Sequence, residues 1–536
     1  MSTISAGMCG EPMTRYNIVG AGLAGLSAAV NLGSQGISSN LISAQPSERA
    51  QSVLAEGGIN GCLDLMGEGD TTEEHFADTL RGGCELADPA AVRDLTEAAP
   101  DILRWLSSLG VPFNRENGQM IQRNFGGQKK KRTAYAKSST GKILMTALID
   151  EVRKYEVQGL IRRFPHHILT DLTVRDGVCT GLTARDSYTG QLWSFSGPVI
   201  LCAGGMNGLF PGMTTGTTAN TGDAAAIALS KGAELSNLEF IQYHPTTVEI
   251  PGKRLLISEA SRGEGGRLYI RRSGKPWYFM EEKYPELGNL MPRDVISREM
   301  VQVLDRADCQ GPVMLDLTGL SSEVWKTRLP DLRKEIMQYL ALDPVESSIP
   351  VSPGIHFFMG GIRVDRNHKT SIPGLWAAGE CACQYHGANR LGGNSMLGAI
   401  YGGMTAARSA LESPFPAGEP ELLEAKQPEE AASAVQPSLC RLLAEGLGIF
   451  RDRAGMEAAL SRVDALNPCS GIEQRQILLG RAMLLSAMAR EESRGAHTRR
   501  DFPDRDDSRF QRTTVARMEQ GKISVSFGPI GEEASW

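Results

Sequence analysis

The sequence predicts an α/β fold: a Rossmann-like dinucleotide-binding domain interrupted by an inserted α+β domain and followed by a C-terminal helical domain. Three observations predict it. An apolar strand runs through a glycine turn into an apolar helix across Tyr16–Val30. A strand-and-glycine texture returns at Ile372–Glu380 after a long, charged interval. Apolar residues then recur at helical spacing across Gln474–Glu491. At 536 residues the chain is too long for one ordinary core, so several domains are expected. The divisions fall at 14–237 and 355–412 for the two parts of the nucleotide domain and at 238–354 for the insertion. A linker rich in Pro, Glu and Ala covers 413–436, and the helical domain covers 437–536, ending in an irregular tail.

The elements follow in order. Tyr16-Asn17-Ile18-Val19 leads into Gly20-Ala21-Gly22-Leu23-Ala24-Gly25 and the helix beginning Leu26-Ser27-Ala28. A second strand near Ser39–Ser43 completes the first half of a βαβ unit. NAD sites usually carry an acidic residue at the end of that strand. Ser43 stands there, so the ribose contact comes from elsewhere or the nucleotide is not NAD. A later strand, Pro198–Ala203, ends in Gly204-Gly205, and Asn220-Thr221-Gly222-Asp223 opens an Ala-rich helix. That places a strand end and a helix start side by side, where backbone N–H groups can meet phosphate and ribose; Asp223 can cap the helix and also face a ligand. From Leu238 to Val351 the segments are short and charged, with a helical patch at Asp294–Asp305.

Composition narrows the function. The net charge of −6 is mild, and Lys129-Lys130-Lys131-Arg132, the one dense basic run, reads as a solvated loop, so no nucleic-acid partner is expected. No stretch of 18 apolar residues and no leader is visible, and the first dozen residues read as a loose tail. The expectation is a cytoplasmic chain without direct membrane insertion, any peripheral membrane attachment running through a partner. Ten cysteines are scattered without a Cys-x-x-Cys pair, and Cys381 and Cys383 are spaced poorly for zinc, so no metal site is expected.

Several residues could carry chemistry. His386-Gly387-Ala388-Asn389-Arg390-Leu391-Gly392-Gly393-Asn394-Ser395 is too rich in glycine for a regular element and reads as a backbone-led loop presenting one fixed cation. With a nucleotide site at the other end, it points to an enzyme that brings a dinucleotide to a small acid. His244 precedes Pro245 and His356 follows Pro353-Gly354; taken singly, each reads as a structural histidine. Glu259 and Arg262 are three apart and can pair on one helical turn. Arg293 enters a helix, where the dipole disfavours a cation, and that placement favours a functional role.

Together these segments, with Ala55-Glu56-Gly57-Gly58, Phe125-Gly126-Gly127-Gln128, Gln242-Tyr243-His244-Pro245-Thr246, Arg262-Gly263-Glu264-Gly265-Gly266 and Glu491-Glu492-Ser493-Arg494-Gly495-Ala496-His497, resemble one family in order and nearly throughout the chain. It is that of the flavoprotein subunits of succinate dehydrogenase and fumarate reductase, with L-aspartate oxidase. The resemblance implies FAD, which also accounts for Ser43, and makes the insertion a capping domain. It implies FAD contacts at Gly20, Gly22, Gly25, Ser43, Gly57, Gly58, Asp223, Glu380, Asn394 and Ser395. His244, Ser258, His356 and Arg390 match the grips on a dicarboxylate; Arg293 matches the proton donor, and Glu259 and Arg262 the relay that reloads it.

Two departures refine the expectation. Gln51 stands where the membrane-complex members attach FAD covalently through histidine, so FAD is expected to be non-covalent and lower in potential, favouring fumarate reduction. Phe125 stands where L-aspartate oxidases carry an acid suited to the substrate ammonium; a phenyl ring offers that ammonium only about 0.5–2 kcal/mol. The chain is therefore read as fumarate reductase-like. L-aspartate oxidase, forming iminoaspartate, is the alternative, as is a subunit active only with an iron–sulfur partner. An electron-transfer partner, iron–sulfur or other, is expected because the chain has no cluster motif.

Overall fold

The structure, a computed structural model, describes residues 15–137, 139–412, 419–423 and 437–531. The tail expected over the first dozen residues lies outside them. Strand Arg15–Val19 pairs in parallel with Ser38–Ser43 on one side and Val199–Leu201 on the other, and Ile161–Pro165 and Leu375–Ala377 complete a five-stranded parallel sheet. Side chains alternate along each strand, so both faces are fed. Ile18, Leu41, Ile200 and Trp376 enter one core, and Val19, Ile42, Leu201 and Ala377 enter another.

Parallel strands that are apolar on both faces need two covers. Helices Leu23–Ser34, Thr140–Val157 and Asn394–Leu411 supply one. The other is an antiparallel sheet of His167–Arg175, Val178–Asp186, Leu192–Ser196 and Glu421–Leu423, carrying Leu169, Leu172, Leu182 and Phe195 inward. Its last strand lies within the segment read as a linker and is held by its pairing with Leu192–Ser196 rather than by burial, for Leu422 is 54% exposed.

Between residues 238 and 358 the chain builds a six-stranded sheet around two long antiparallel strands, Ile241–Ile250 and Ile349–Phe358. Their ladder is irregular between His244 and Thr247, where Pro245 has no N–H to give. Helix Arg293–Leu304 lies against Ile241–Ile250 and buries Ile296, Met300 and Val303 in the core of this unit.

Helices Pro437–Gly446, Arg453–Asp464 and Gly471–Ala489 follow. The tail expected to be irregular ends in a hairpin, Thr513–Glu519 with Lys522–Gly528, which extends a sheet through Leu235–Ser236. Gln520 (φ 49°) and Gly521 (φ 77°) make its turn, the left-handed pair a two-residue hairpin favours.

The basic run needs a correction. Arg132 is fully buried, bridging Asp70 (2.8 Å) and Asp78 (2.9 Å), so the run is anchored at its end rather than solvated throughout. No helix among the described residues is long and apolar enough to cross a membrane.

Candidate active site

A cavity of about 750 Å³ extends from the first glycine turn to Arg293 and Arg390. Gly20, Gly22, Ser43, Gly57, Gly58, Asp223, Glu380 and Ser395 all line it. Three helices begin on this cavity, after Gly22, Gly222 and Gly393, and none has a capping side chain at its N-cap residue, although Ser52 Oγ accepts the Leu23 N–H at 3.2 Å. Glycine-led helix starts converging on one cavity form a cradle for an anionic dinucleotide. Gly20, at φ 112°, is required by close approach, since a Cβ there would stand 2.0 Å from the Cys202 carbonyl oxygen. Gly25 does not line the cavity; its Cβ would stand 1.8 Å from the Gly20 carbonyl oxygen, so its absence seats the helix on the turn.

Four of the expected cofactor residues turn to protein partners. Asp223 accepts hydrogen bonds from Arg475 Nε (3.0 Å) and Thr221 Oγ1 (2.7 Å) while lining the cavity. Asn394 does not line it. Its Oδ1 accepts from Asn60 Nδ2 (2.7 Å) and lies 3.1 Å from His75 Nε2, and its amide donates to Thr79 Oγ1 (3.0 Å), so the side chain braces the helix start from behind. Ser43 Oγ donates to the Gln45 carbonyl at 2.7 Å, closing the turn after its strand. Glu380 Oε1 accepts the Phe358 N–H at 3.1 Å, and burial pushes its carboxyl up to about 7.

The far end is a cluster of cations. Arg293 Nε and Nη2 donate to Glu259 Oε2 at 3.0 and 2.5 Å, and Nη1 donates to Gln242 Oε1 at 3.1 Å. Arg390 Nη2 donates to the same Gln242 oxygen at 3.1 Å, while Arg390 Nε is buried without a partner. Gln242 is fixed in turn, donating to Asn389 Oδ1 (2.8 Å) and the Arg390 carbonyl (2.7 Å). Burial, and then the neighbouring Arg293, lower the Arg390 guanidinium well below its ordinary value. A buried site with more guanidinium than carboxylate is complementary to an anion.

Glu259 stands between two arginines. Its Oε1 accepts the Gly126 N–H at 3.1 Å and lies 3.3 Å from Arg262 Nη2. Burial alone would raise its carboxyl, but Arg293 and Arg262 outweigh burial and hold it below the usual value. Arg262 does not line the cavity; it stands behind Glu259, its Nη1 donating to the Asn289 carbonyl at 2.6 Å. Arg293, Glu259 and Arg262 thus form one chain running inward from the cavity wall.

His244 and His356 come from the two long paired strands, with ring centroids 5.1 Å apart. His244 Nδ1 accepts the Thr246 N–H at 3.3 Å, which leaves the proton on Nε2; His356 Nδ1 lies 2.7 Å from Thr215 Oγ1. Burial, then Arg293, pull both imidazoles well below 6.5, so both are neutral donors. Ser258 and Phe125, both buried, line the same end. Gln51 lines the cavity and its Oε1 accepts the Thr217 N–H at 2.5 Å.

Sequence reasoning did not single out Gln242, Thr215 or Arg475. Gln242 left a signal, for it precedes His244 by two on a strand and so shares its face. Thr215 and Arg475 left none, since each reaches its partner only through tertiary packing.

A family profile described as FAD binding domain matches residues 18–396, and one described as fumarate reductase flavoprotein C-term matches 472–534. The chain is 36% identical to the succinate dehydrogenase flavoprotein subunit of Bacillus subtilis, covering 93% of each. It is 32% identical to an L-aspartate oxidase of Streptomyces coelicolor, covering 94% of this chain and 91% of that one. Among solved structures, a variant of E. coli quinol fumarate reductase FrdA superposes with a TM-score of 0.83 at 29% identity over 97% of each chain. FAD is therefore the dinucleotide that the glycine turn and the glycine-led helix starts fit.

Proposed function

Because the chain belongs to the succinate dehydrogenase and fumarate reductase flavoprotein family, an FAD-dependent oxidoreductase family with L-aspartate oxidases among its members, we propose that it interconverts fumarate and succinate and works chiefly as a fumarate reductase. The observation that carries this reading is the pairing of Arg293 and Arg390 through Gln242, beside two neutral histidines and next to Phe125 rather than an acid.

FAD, when bound, supplies hydride transfer at the substrate end of the cavity. Gly20, Gly22, Ser43, Gly57, Gly58, Asp223, Glu380 and Ser395 would hold it, with Gly25 and Asn394 supporting the helix starts from behind. Arg390, with His244, Ser258 and His356 as further donors, grips the two carboxylates of a four-carbon acid and orients it. Both histidines donate without adding charge, so the guanidiniums dominate recognition. Arg293 delivers a proton to the carbon next to the one that receives hydride. An isolated guanidinium is a poor acid; Glu259 and Arg262 reload it along their chain while the buried site excludes water. The same positive field stabilises charge developing on the substrate.

Direction follows from Gln51. Its amide forms no bond to flavin, so FAD is held without a covalent link and at lower potential, and electrons pass more readily to fumarate than from succinate. The donor is an electron-transfer partner, iron–sulfur or other; relatives are named as subunits, which supports such a partner.

The test uses purified chain with a reduced viologen. Fumarate reduction is expected to exceed dye-linked succinate oxidation clearly, with aspartate-dependent peroxide formation weaker than either. Rapid aspartate oxidation with little fumarate reduction would make the oxidase reading correct.

A further inference from the structure

We propose that Arg123 sets the charge preference of the substrate end, by placing a buried cation behind Phe125 that disfavours dicarboxylates carrying an ammonium at C2. The inference rests on the reading of this end as a dicarboxylate site. Phe125 lines the cavity and Arg123 does not, yet the Arg123 guanidinium carbon lies 5.5 Å from the centroid of the Phe125 ring. Tyr135 is a second aromatic neighbour, its ring centroid 4.0 Å from the same carbon, so the cation lies near two aromatic rings.

Like the buried Arg390 and Arg451, Arg123 bonds to groups other than carboxylates. Nη2 donates to the Gly57 carbonyl, on the cavity wall, while Nε and Nη1 are buried without partners. Arg132, Arg490 and Arg494, equally buried, each hold a carboxylate. Among the described residues none pairs with Arg123. Glu264 is taken by Arg328 at 2.8 Å, and burial raises the Glu56 carboxyl well above its usual range, which disfavours its anion. Burial draws Arg123 itself down only to about 10, so it keeps its charge at neutral pH.

An aromatic face attracts a cation because its π electrons are negative. With a guanidinium already drawing those electrons, Phe125 has less to offer an ammonium arriving from the cavity, and the two positive charges repel through a medium of low dielectric. A dicarboxylate without an ammonium meets the same field as attraction. Phe125 alone offers an ammonium only a weak contact; Arg123 turns that weak contact into repulsion.

The test measures dissociation constants for succinate and L-aspartate on the FAD-loaded full chain, from the perturbation of flavin absorbance. Arg123→Gln is expected to narrow the aspartate-to-succinate ratio by about tenfold, and Arg123→Lys, which keeps the charge, to leave it within about threefold. An unchanged ratio in Arg123→Gln, or an equal shift in Arg123→Lys, overturns the proposal. Should Arg123→Gln not retain FAD, the unmodified chain decides: L-malate, similar in size but uncharged at C2, is expected to bind at least about tenfold more tightly than L-aspartate, and equal binding overturns the proposal. Tight succinate binding with either adverse result sinks only the role of Arg123. Absence of any dicarboxylate binding sinks the functional reading as well.

Discussion

Arg293 occupies the first position of its helix, where the dipole repels it, and is held there by two contacts with Glu259 and one with Gln242. A residue kept against its local preference is a candidate for chemistry rather than for stability. Arg293→Ala is expected to leave FAD bound and to lower kcat by several orders of magnitude, because the carboxylate grips remain. Arg390→Ala is expected to raise KM strongly as well, since it removes a buried charge-assisted donor that Gln242 alone cannot replace. Steady-state kinetics of fumarate reduction separate the two patterns. Near-normal turnover in Arg293→Ala would place the proton chemistry elsewhere.

At the scale of elements, the cofactor end depends on how closely helix Asn394–Leu411 lies on helix Leu23–Ser34. A Cβ on Gly403 would stand 2.1 Å from the Ala24 carbonyl oxygen, so Gly403 sets that spacing. Both helices begin at the cavity, after Gly393 and Gly22. Gly403→Ala therefore pushes one helix start away from the other. It is expected to cost about 1–3 kcal/mol by overpacking and to weaken FAD retention in the same step. Denaturant melts with and without added FAD, read beside the flavin-to-protein absorbance ratio, measure both effects. A variant that melts normally and purifies fully loaded would show that the spacing has slack.

The whole molecule holds an unusual set of neutral buried histidines. Burial pulls His75 and His386 down to about 3 and His368 to about 4, and His244, His356 and His497 lie well below 6.5. Each takes up a proton in the unfolded chain near pH 6.5 but not in the folded one. Their contribution is complete above that pH and is lost as pH falls towards the folded values, at about 1.4 kcal/mol per histidine per pH unit. The thermal midpoint is expected to drop steeply between pH 7 and 5.5, and a flat profile there would contradict the burial of these rings. On full acid denaturation the FAD is expected to leave entirely with the supernatant. Flavin fluorescence on the denatured polypeptide in a gel would rule out the non-covalent link inferred from Gln51.

The sequence by itself determined the strand, glycine turn and helix at Tyr16–Val30, because the positive φ of Gly20 and the approach of Gly25 to the Gly20 carbonyl are local and written in residue type. Strand periodicity, flanking glycines and the helix entry at Arg293 were legible for the same reason. The closing hairpin carries a local signal as well, alternating residues about Gln520-Gly521, in a tail whose composition alone reads as irregular. Tertiary structure alone decided what stands behind the walls. That Asn394 braces a helix start, that Arg475 reaches Asp223, and that Gln242 joins two arginines 97 residues apart in the chain (Arg293 and Arg390) depend on long-range packing that no local pattern encodes. The antiparallel sheet that covers the second face of the parallel one, and the buried Arg132 at the end of a basic run, were decided in the same way: burial is a property of what folds over a residue, and the residue's own neighbours in sequence do not specify it.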